Sequence, residues 1–320
     1  MERIYKPEGE LLNTKENRDL LASRAGLERA MMRGSIIEGV ATVCDGEMRL
    51  QVDLGCMRGI IAPEEAVFCR PGEVRKDIAV VSRVGKPVAV RILSFTERHG
   101  EMIAVLSRRA AQKAFLSYCL EERKPGDIIP GKVTHLEPFG AFLDIGCGVA
   151  SLLSVDCISV SRIPHPRDRL SVGMMLPVAI KSLDRESGRI SVTLRELLGT
   201  WAENAAAFAP GQTVTGIVRS VESYGAFIEL APNLAGLSEV RGEEQFTLMR
   251  SLIGHAVAVY IKSINPERMK IKLAVVDTAP CRMPPRAPTL MIDPATVTHL
   301  SRWVYSPATC KKVVETVFGD

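Results

Sequence analysis

The sequence predicts a mainly β protein of three tandem five-stranded barrels joined by short helices, with a short helical N-terminal arm and a proline-rich C-terminal tail. Three observations predict it. The chain has 320 residues, more than the roughly 100–200 of one ordinary domain. A pair of glycines five residues apart recurs about every ninety residues, a period that marks a repeat architecture. Between those pairs run short alternating apolar stretches separated by Gly, Pro, Asn and Asp, the pattern of an all-β barrel or sandwich.

Taken in order, residues 1–33 form the arm and residues 34–108 the first barrel. Residues 126–197 and 210–277 form the second and third. The repeats open alike, on Gly34 and Gly39, Gly126 and Gly131, and Gly211 and Gly216. They close alike in apolar hairpins: Val88-Ala89-Val90-Arg91, Val178-Ala179-Ile180-Lys181 and Val257-Ala258-Val259-Tyr260-Ile261-Lys262 each lead into a last strand. Roughly 70 residues per repeat suits a closed five-stranded barrel of the OB type. The connectors, residues 109–125 and 198–209, are rich in helix formers such as Ala, Leu, Gln and Glu and predict helices packed beside the barrels. Residues 278–320 begin with Pro280, Pro284, Pro285, Pro288 and Pro294. They continue through Trp303 and Tyr305, which are expected to pack on the third barrel, into a last helix expected near 309–318.

Composition narrows the function. Forty-six per cent of the residues are hydrophobic, enough for packed cores, yet no run approaches the ~18 apolar residues of a membrane span. The charged start, without a signal-peptide core, predicts a cytoplasmic protein. Eight cysteines contain no Cys-x-x-Cys, and the histidines at 99, 135, 165, 255 and 299 are scattered. Neither a metal site nor a catalytic set is expected, and no cofactor, so a binding protein is predicted rather than an enzyme. Net charge is +4, and within the repeats basic and acidic residues balance at ten and ten, eight and eight, and seven and seven. A phosphate-binding surface must then be a local arrangement of charge.

Four aromatics supply the sharper signal in a chain that is only 5% aromatic: Phe139-Gly140-Ala141-Phe142 and Tyr224-Gly225-Ala226-Phe227. Strand alternation puts Ala141, Leu143 and Ile145 inward and leaves Phe142 beside Asp144 on the other face. In the third repeat Phe227 likewise shares its face with Glu229. Exposed phenylalanines suit stacking of bases. Phe139 and Tyr224 stand three residues earlier, on the wrong face for a regular strand, so a bulge or kink at Gly140 and Gly225 is expected to bring the rings together. Cations at matched positions, Lys181 and Lys262, Arg189 and Lys270, are candidate phosphate contacts, joined by Lys132 and Arg219 beside the Gly-x-Val motifs.

These two repeats resemble the RNA-binding repeat of the ribosomal protein S1 family, an OB-fold module. Gly131-Lys132-Val133 with Phe139-Gly140-Ala141-Phe142-Leu143-Asp144, and Gly216-Ile217-Val218 with Tyr224-Gly225-Ala226-Phe227-Ile228-Glu229, match its central motif. Asp184 and Gly188-Arg189-Ile190-Ser191-Val192-Thr193 match its closing one. The resemblance implies an RNA face of two aromatics, a histidine, an Asp and an Arg. The second repeat supplies Phe139, Phe142, Asp184 and Arg189, with Ser154 at the histidine position. The third supplies Tyr224 and Phe227, with Asn265 and Lys270 for the Asp and Arg, and again lacks the histidine. The first repeat, Asp45-Gly46-Glu47-Met48-Arg49-Leu50-Gln51-Val52-Asp53, turns Arg49, Gln51 and Asp53 outward and carries no ring. The resemblance implies single-stranded RNA as partner, mRNA or structured loops, with a role in translation or RNA metabolism and a place at the small ribosomal subunit. The alternative is an adaptor that docks proteins of the ribosome or transcription machinery and touches RNA little.

Overall fold

The computed structural model describes residues 5–70, 72–98, 100–281 and 288–319; His99, Pro284 and Pro285 lie outside them. Two short helices, α1 (Lys15–Leu21) and α2 (Arg24–Arg33), form the arm. Ser23 caps α2 by accepting from the Gly26 N–H, and Gly34 ends it in the left-handed conformation.

The first barrel has strands β1 (Ile37–Cys44), β2 (Leu50–Asp53), β3 (Arg58–Ile61), β4 (Pro87–Arg98) and β5 (Glu101–Ser107), closed in the order β1-β2-β3-β5-β4. A short helix α3 (Ile78–Val81) lies in the β3–β4 crossover, and α4 (Arg108–Glu122) leads out, capped by Ser107. Ala111, Phe115 and Cys119, four residues apart, make a stripe on α4 that is buried in the core of the second barrel.

That barrel comprises β6 (Ile128–Glu137), β7 (Gly140–Asp144), β8 (Ala150–Ser154), β9 (Met175–Asp184) and β10 (Arg189–Thr193). After the capping-box helix α5 (Trp201–Ala205) comes the third, with β11 (Thr213–Glu222), β12 (Gly225–Ala231), β13 (Leu234–Ser238), β14 (Ala256–Asn265) and β15 (Lys270–Cys281). A nine-residue helix, α6 (Glu243–Ser251), fills its crossover. All three barrels close, and strand burial alternates as expected: Ala141, Leu143 and Ile145 are buried, as are Ala226 and Ile228.

The tail differs from expectation at its end. Instead of a helix over 309–318, β16 (Arg302–Val304) pairs with β17 (Glu315–Val317). The β-branched run Val313, Val314, Thr316 and Val317 suits a pleated strand better than a helix. Trp303 and Tyr305 enter the core of the third barrel beside Trp201, as the sequence predicts, and the Tyr305 hydroxyl donates to the Asn233 carbonyl at 2.6 Å.

Candidate nucleic-acid interface

Each ring pair is built by a tight hairpin. Glu137 pairs with Gly140, and Glu222 with Gly225, so Phe139 and Tyr224 are the second residues of two-residue loops rather than strand residues. Strand alternation therefore does not govern them. The expected bulges at Gly140 and Gly225 are not where the register breaks. It breaks on the neighbouring strands, at Thr134 in β6 and Arg219 in β11, with a matching irregularity at Thr42 in β1. The glycines serve close approach instead. A Cβ on Gly140 would stand 2.6 Å from the Leu153 carbonyl oxygen, and one on Gly225 2.4 Å from that of Ser238.

The geometry is the same in both copies. Phe139 and Phe142 meet edge to face with centroids 6.0 Å apart at 87°, and Tyr224 and Phe227 at 6.1 Å and 87°. The loop rings are the exposed members, Phe139 at 55% and Tyr224 at 59%, whereas Phe142 and Phe227 are half-buried on the sheet. Strand alternation alone had pointed to Phe142 and Phe227 as the exposed rings, because it placed all four in strands.

The polar candidates divide. Arg189 and Lys270 are exposed and open the fifth strands as expected, and Lys262 is exposed although β14 runs past it to Asn265. Lys181 is also exposed, although β9 runs past it to Asp184, and its Nζ donates to the buried Cys157 Sγ at 3.1 Å, a bond that raises its pKa. Asp184 caps the β9–β10 turn, accepting from the Glu186 and Ser187 N–H groups. Hydrogen bonding, first from the Ser187 hydroxyl, holds its carboxyl below the ordinary range. Asn265 does the same in the third barrel, accepting from the Arg268 N–H, so the exchange of Asp for Asn keeps a turn-capping oxygen.

Lys132 and Arg219 do not join the interface. The Lys132 Nζ donates to the Glu8 carbonyl at 3.0 Å and so is held by the arm. Arg219, whose side chain is buried, pairs with Glu229 at 2.8 Å and Asp168 at 2.9 Å. Glu229 also takes both terminal nitrogens of Arg169, at 2.8 and 2.6 Å. This network joins the second barrel to the third. Glu229 and Asp144 share a face with Phe227 and Phe142, as alternation predicts, but both are buried under neighbouring chain rather than open. Sequence reasoning missed that, because the covering groups come from distant segments.

His135 was also missed as part of the site. It pairs in register with Phe142 across β6 and β7, and its ring lies 6.5 Å from that of Phe142 at 30°. The Nε2 shares a hydrogen bond with the Glu137 carboxylate at 2.7 Å. Among the described residues, no group of three or more His, Cys, Asp or Glu is placed to hold a metal ion, and no helix is long and apolar enough to cross a membrane.

The chain is thus a series of closed five-stranded barrels, two of which carry the same hairpin, Phe139-Gly140-Ala141-Phe142 and Tyr224-Gly225-Ala226-Phe227. Residues 122–195 match the model of the S1 RNA binding domain. Over 205 residues, 61% of its length, the chain is 33% identical to small ribosomal subunit protein bS1 of Staphylococcus aureus strain COL, covering 52% of that protein. With bS1 of Leuconostoc lactis it shares 32% identity over 199 residues, 59% of this chain and 46% of the relative. The chain is thus related to the S1-like ribosomal proteins and spans about half the length of the curated relatives it matches. A crystal structure of a multidomain protein with nucleic acid binding domains from Streptococcus pneumoniae aligns with 76% of this chain and 73% of its own, at 16% identity and a TM-score of 0.23, too loose a superposition to argue from.

Proposed function

We propose that the second and third barrels bind single-stranded RNA, with bases stacked on Phe139 and Phe142 and on Tyr224 and Phe227. Phosphates then lie near Lys181, Arg189, Lys262 and Lys270. The observation that carries this reading is the ring pair repeated at one geometry, with one member of each pair more than half exposed. An exposed aromatic offers a π-face that every base can use, so the binding tolerates sequence. Two sites on one chain make the second contact intramolecular and raise affinity above that of either barrel. The match to the S1 RNA binding domain and the bS1 relatives support the same reading. They also support a role in translation, in the cytoplasm at the small ribosomal subunit, and a binding rather than a catalytic one. Asp184 and Asn265 act by shaping the turn from which Arg189 and Lys270 project.

Among the described residues the first barrel has no ring pair, and its crossover exposes Val74, Ile78 and Val81. For that barrel a protein-docking role is the second reading. The test is titration of labelled single-stranded RNA at several salt concentrations against the wild type and the Phe142→Ala/Phe227→Ala double variant. Stacking predicts a loss of about 1–3 kcal/mol per ring with the fold intact by circular dichroism. Equal affinity in the two proteins would promote the adaptor reading for the whole chain.

A further inference from the structure

The two RNA platforms are alike in their ring pairs and unlike in what flanks them. On the second barrel, Phe142 pairs with Leu152 of β8 on one side and His135 of β6 on the other. On the third, the residues in those places are Leu237 and Ser220. The strand opposite the phenylalanine thus carries an aromatic ring in one barrel and a hydroxyl in the other.

We propose that His135 is a third base-contacting ring, which makes the second barrel the stronger of the two RNA sites. The inference rests on the stacking reading above and adds a further binding residue to it. The imidazole is near-parallel to Phe142, at 30°, whereas Phe139 meets Phe142 edge-on at 87°. His135 and Phe142 are therefore stacked, near-parallel rings, with Phe139 standing edge-on to Phe142, and the histidine offers a base a further ring face to stack on. The side chain is 63% exposed, and its Nε2 is tied to the Glu137 carboxylate at 2.7 Å. That hydrogen bond holds the ring in its plane and leaves one face to solvent. The bulge at Thr134 sets this register, since it lies immediately before His135. The Thr134 hydroxyl, donating to the Phe142 carbonyl at 3.0 Å, fastens the bulge to the strand that carries the stacked ring. A ring preordered in this way loses little conformational freedom on binding, and so contributes more of its contact energy.

The fold brings this ring to the platform from β6. The family resemblance places its histidine on β8, where this chain has Ser154. The imidazole here is on the opposite flank of Phe142, so the path of the RNA is displaced towards β6 and the Pro138-Phe139 loop.

The test uses the full chain and a labelled oligouridylate of about 20 nucleotides, long enough for two barrels at ~4–16 nucleotides each. Removing the third-barrel rings by Tyr224→Ala/Phe227→Ala isolates the second site. In that background His135→Ala is expected to weaken binding about tenfold, while His135→Phe keeps most of the affinity because it keeps a ring. Conversely, Ser220→His in the otherwise intact chain is expected to tighten binding. Thermal midpoints should be unchanged, as His135 is exposed. Affinity unmoved by His135→Ala while Phe142→Ala abolishes binding would overturn the third ring alone. Affinity unmoved by both variants would overturn the stacking reading and the inference with it.

Discussion

Asp144 and Glu229 occupy the same place in successive repeats, two residues beyond the phenylalanine on its strand, yet the two junctions treat them oppositely. At the junction of the second and third barrels, Glu229 is buried between two guanidinium groups. Its burial works against the charge, but hydrogen bonds from Arg169 and Arg219 hold its carboxyl below the ordinary range. At the other junction the arm lies over Asp144. The Glu8 N–H donates to the Asp144 Oδ2 at 2.7 Å, while the Glu8 carboxylate takes Arg108 at 2.6 and 2.9 Å. Arg108 lies so close to the backbone that Gly148, in a left-handed turn, has no room for a Cβ. Burial and the neighbouring Glu8 push the Asp144 carboxyl well up. Burial also raises Glu38 to about 7, although the N–H groups of Gly9, Leu12 and Leu11 favour its charged form. One junction is a matched charge network; the other has more carboxyl than cation. The difference teaches that a repeat position fixes where a carboxylate points, and the covering segment fixes what it costs.

The largest effect should come from breaking the matched network. Arg169→Met leaves Glu229 buried with a charge less well compensated, and is expected to destabilise the protein by about 3–5 kcal/mol in urea unfolding. Combining it with Glu229→Leu and Arg219→Met should recover most of that loss, since the buried carboxylate and both guanidinium groups paired with it are then removed together and the desolvation cost goes with them. If the single substitution is neutral, the two junctions are energetically alike and the contrast fails.

Between pH 5 and pH 8 the arm should respond to pH, and the barrel 2–3 junction, whose Glu229 is held below the ordinary carboxylate range, should not. A carboxyl raised in the folded state holds its proton more tightly there than in the unfolded chain. The Glu38 contribution is therefore complete below its ordinary value of 4.5 and is lost as pH rises to about 7. Asp144 has the same sign. Glu8, held low by Arg108 and Arg83 against the pull of its own burial, runs the other way and loses its contribution only as pH falls below 4.5. Hydrogen exchange at the Gly9, Leu11 and Leu12 amides should accordingly show arm docking weaken between pH 5 and pH 8, beyond the intrinsic pH dependence of exchange. Asp144→Asn should flatten part of that slope and change stability at pH 7 by no more than about 1 kcal/mol. An arm equally protected across the range would show that the carboxyls are compensated after all. The smallest effect is expected at the hairpin tip, where Phe139→Ala should change stability by less than about 0.5 kcal/mol. It should nonetheless weaken RNA binding.

The barrels were legible because glycine spacing and period-2 burial are local properties. The inward rows of β7 and β12 follow from alternation alone. The hairpin position of Phe139 and Tyr224 was not legible, because two-residue loops suspend that alternation. Lys132 and Arg219 looked like free cations beside the motif. Their partners, Glu8 and the set of Asp168 and Glu229, come from segments that only the folded chain brings near. His135 escaped for a related reason: its neighbour Phe142 is seven residues away in sequence and is reached through a bulge that shifts the register by one. The tail strand β17 was obscured because its partner β16 lies beyond a turn of irregular chain.

Closure of the three barrels has a consequence for any protein partner. A sheet with a free margin can accept an extended peptide as one more strand, gaining affinity from main-chain hydrogen bonds whatever its side chains. Each barrel here pairs its first strand with its fourth and its third with its fifth, so no such margin is offered. A ligand of these barrels, nucleic acid or protein, has to be chosen by side chains and hairpin tips, and the modules can stand in series without templating one another into aggregates.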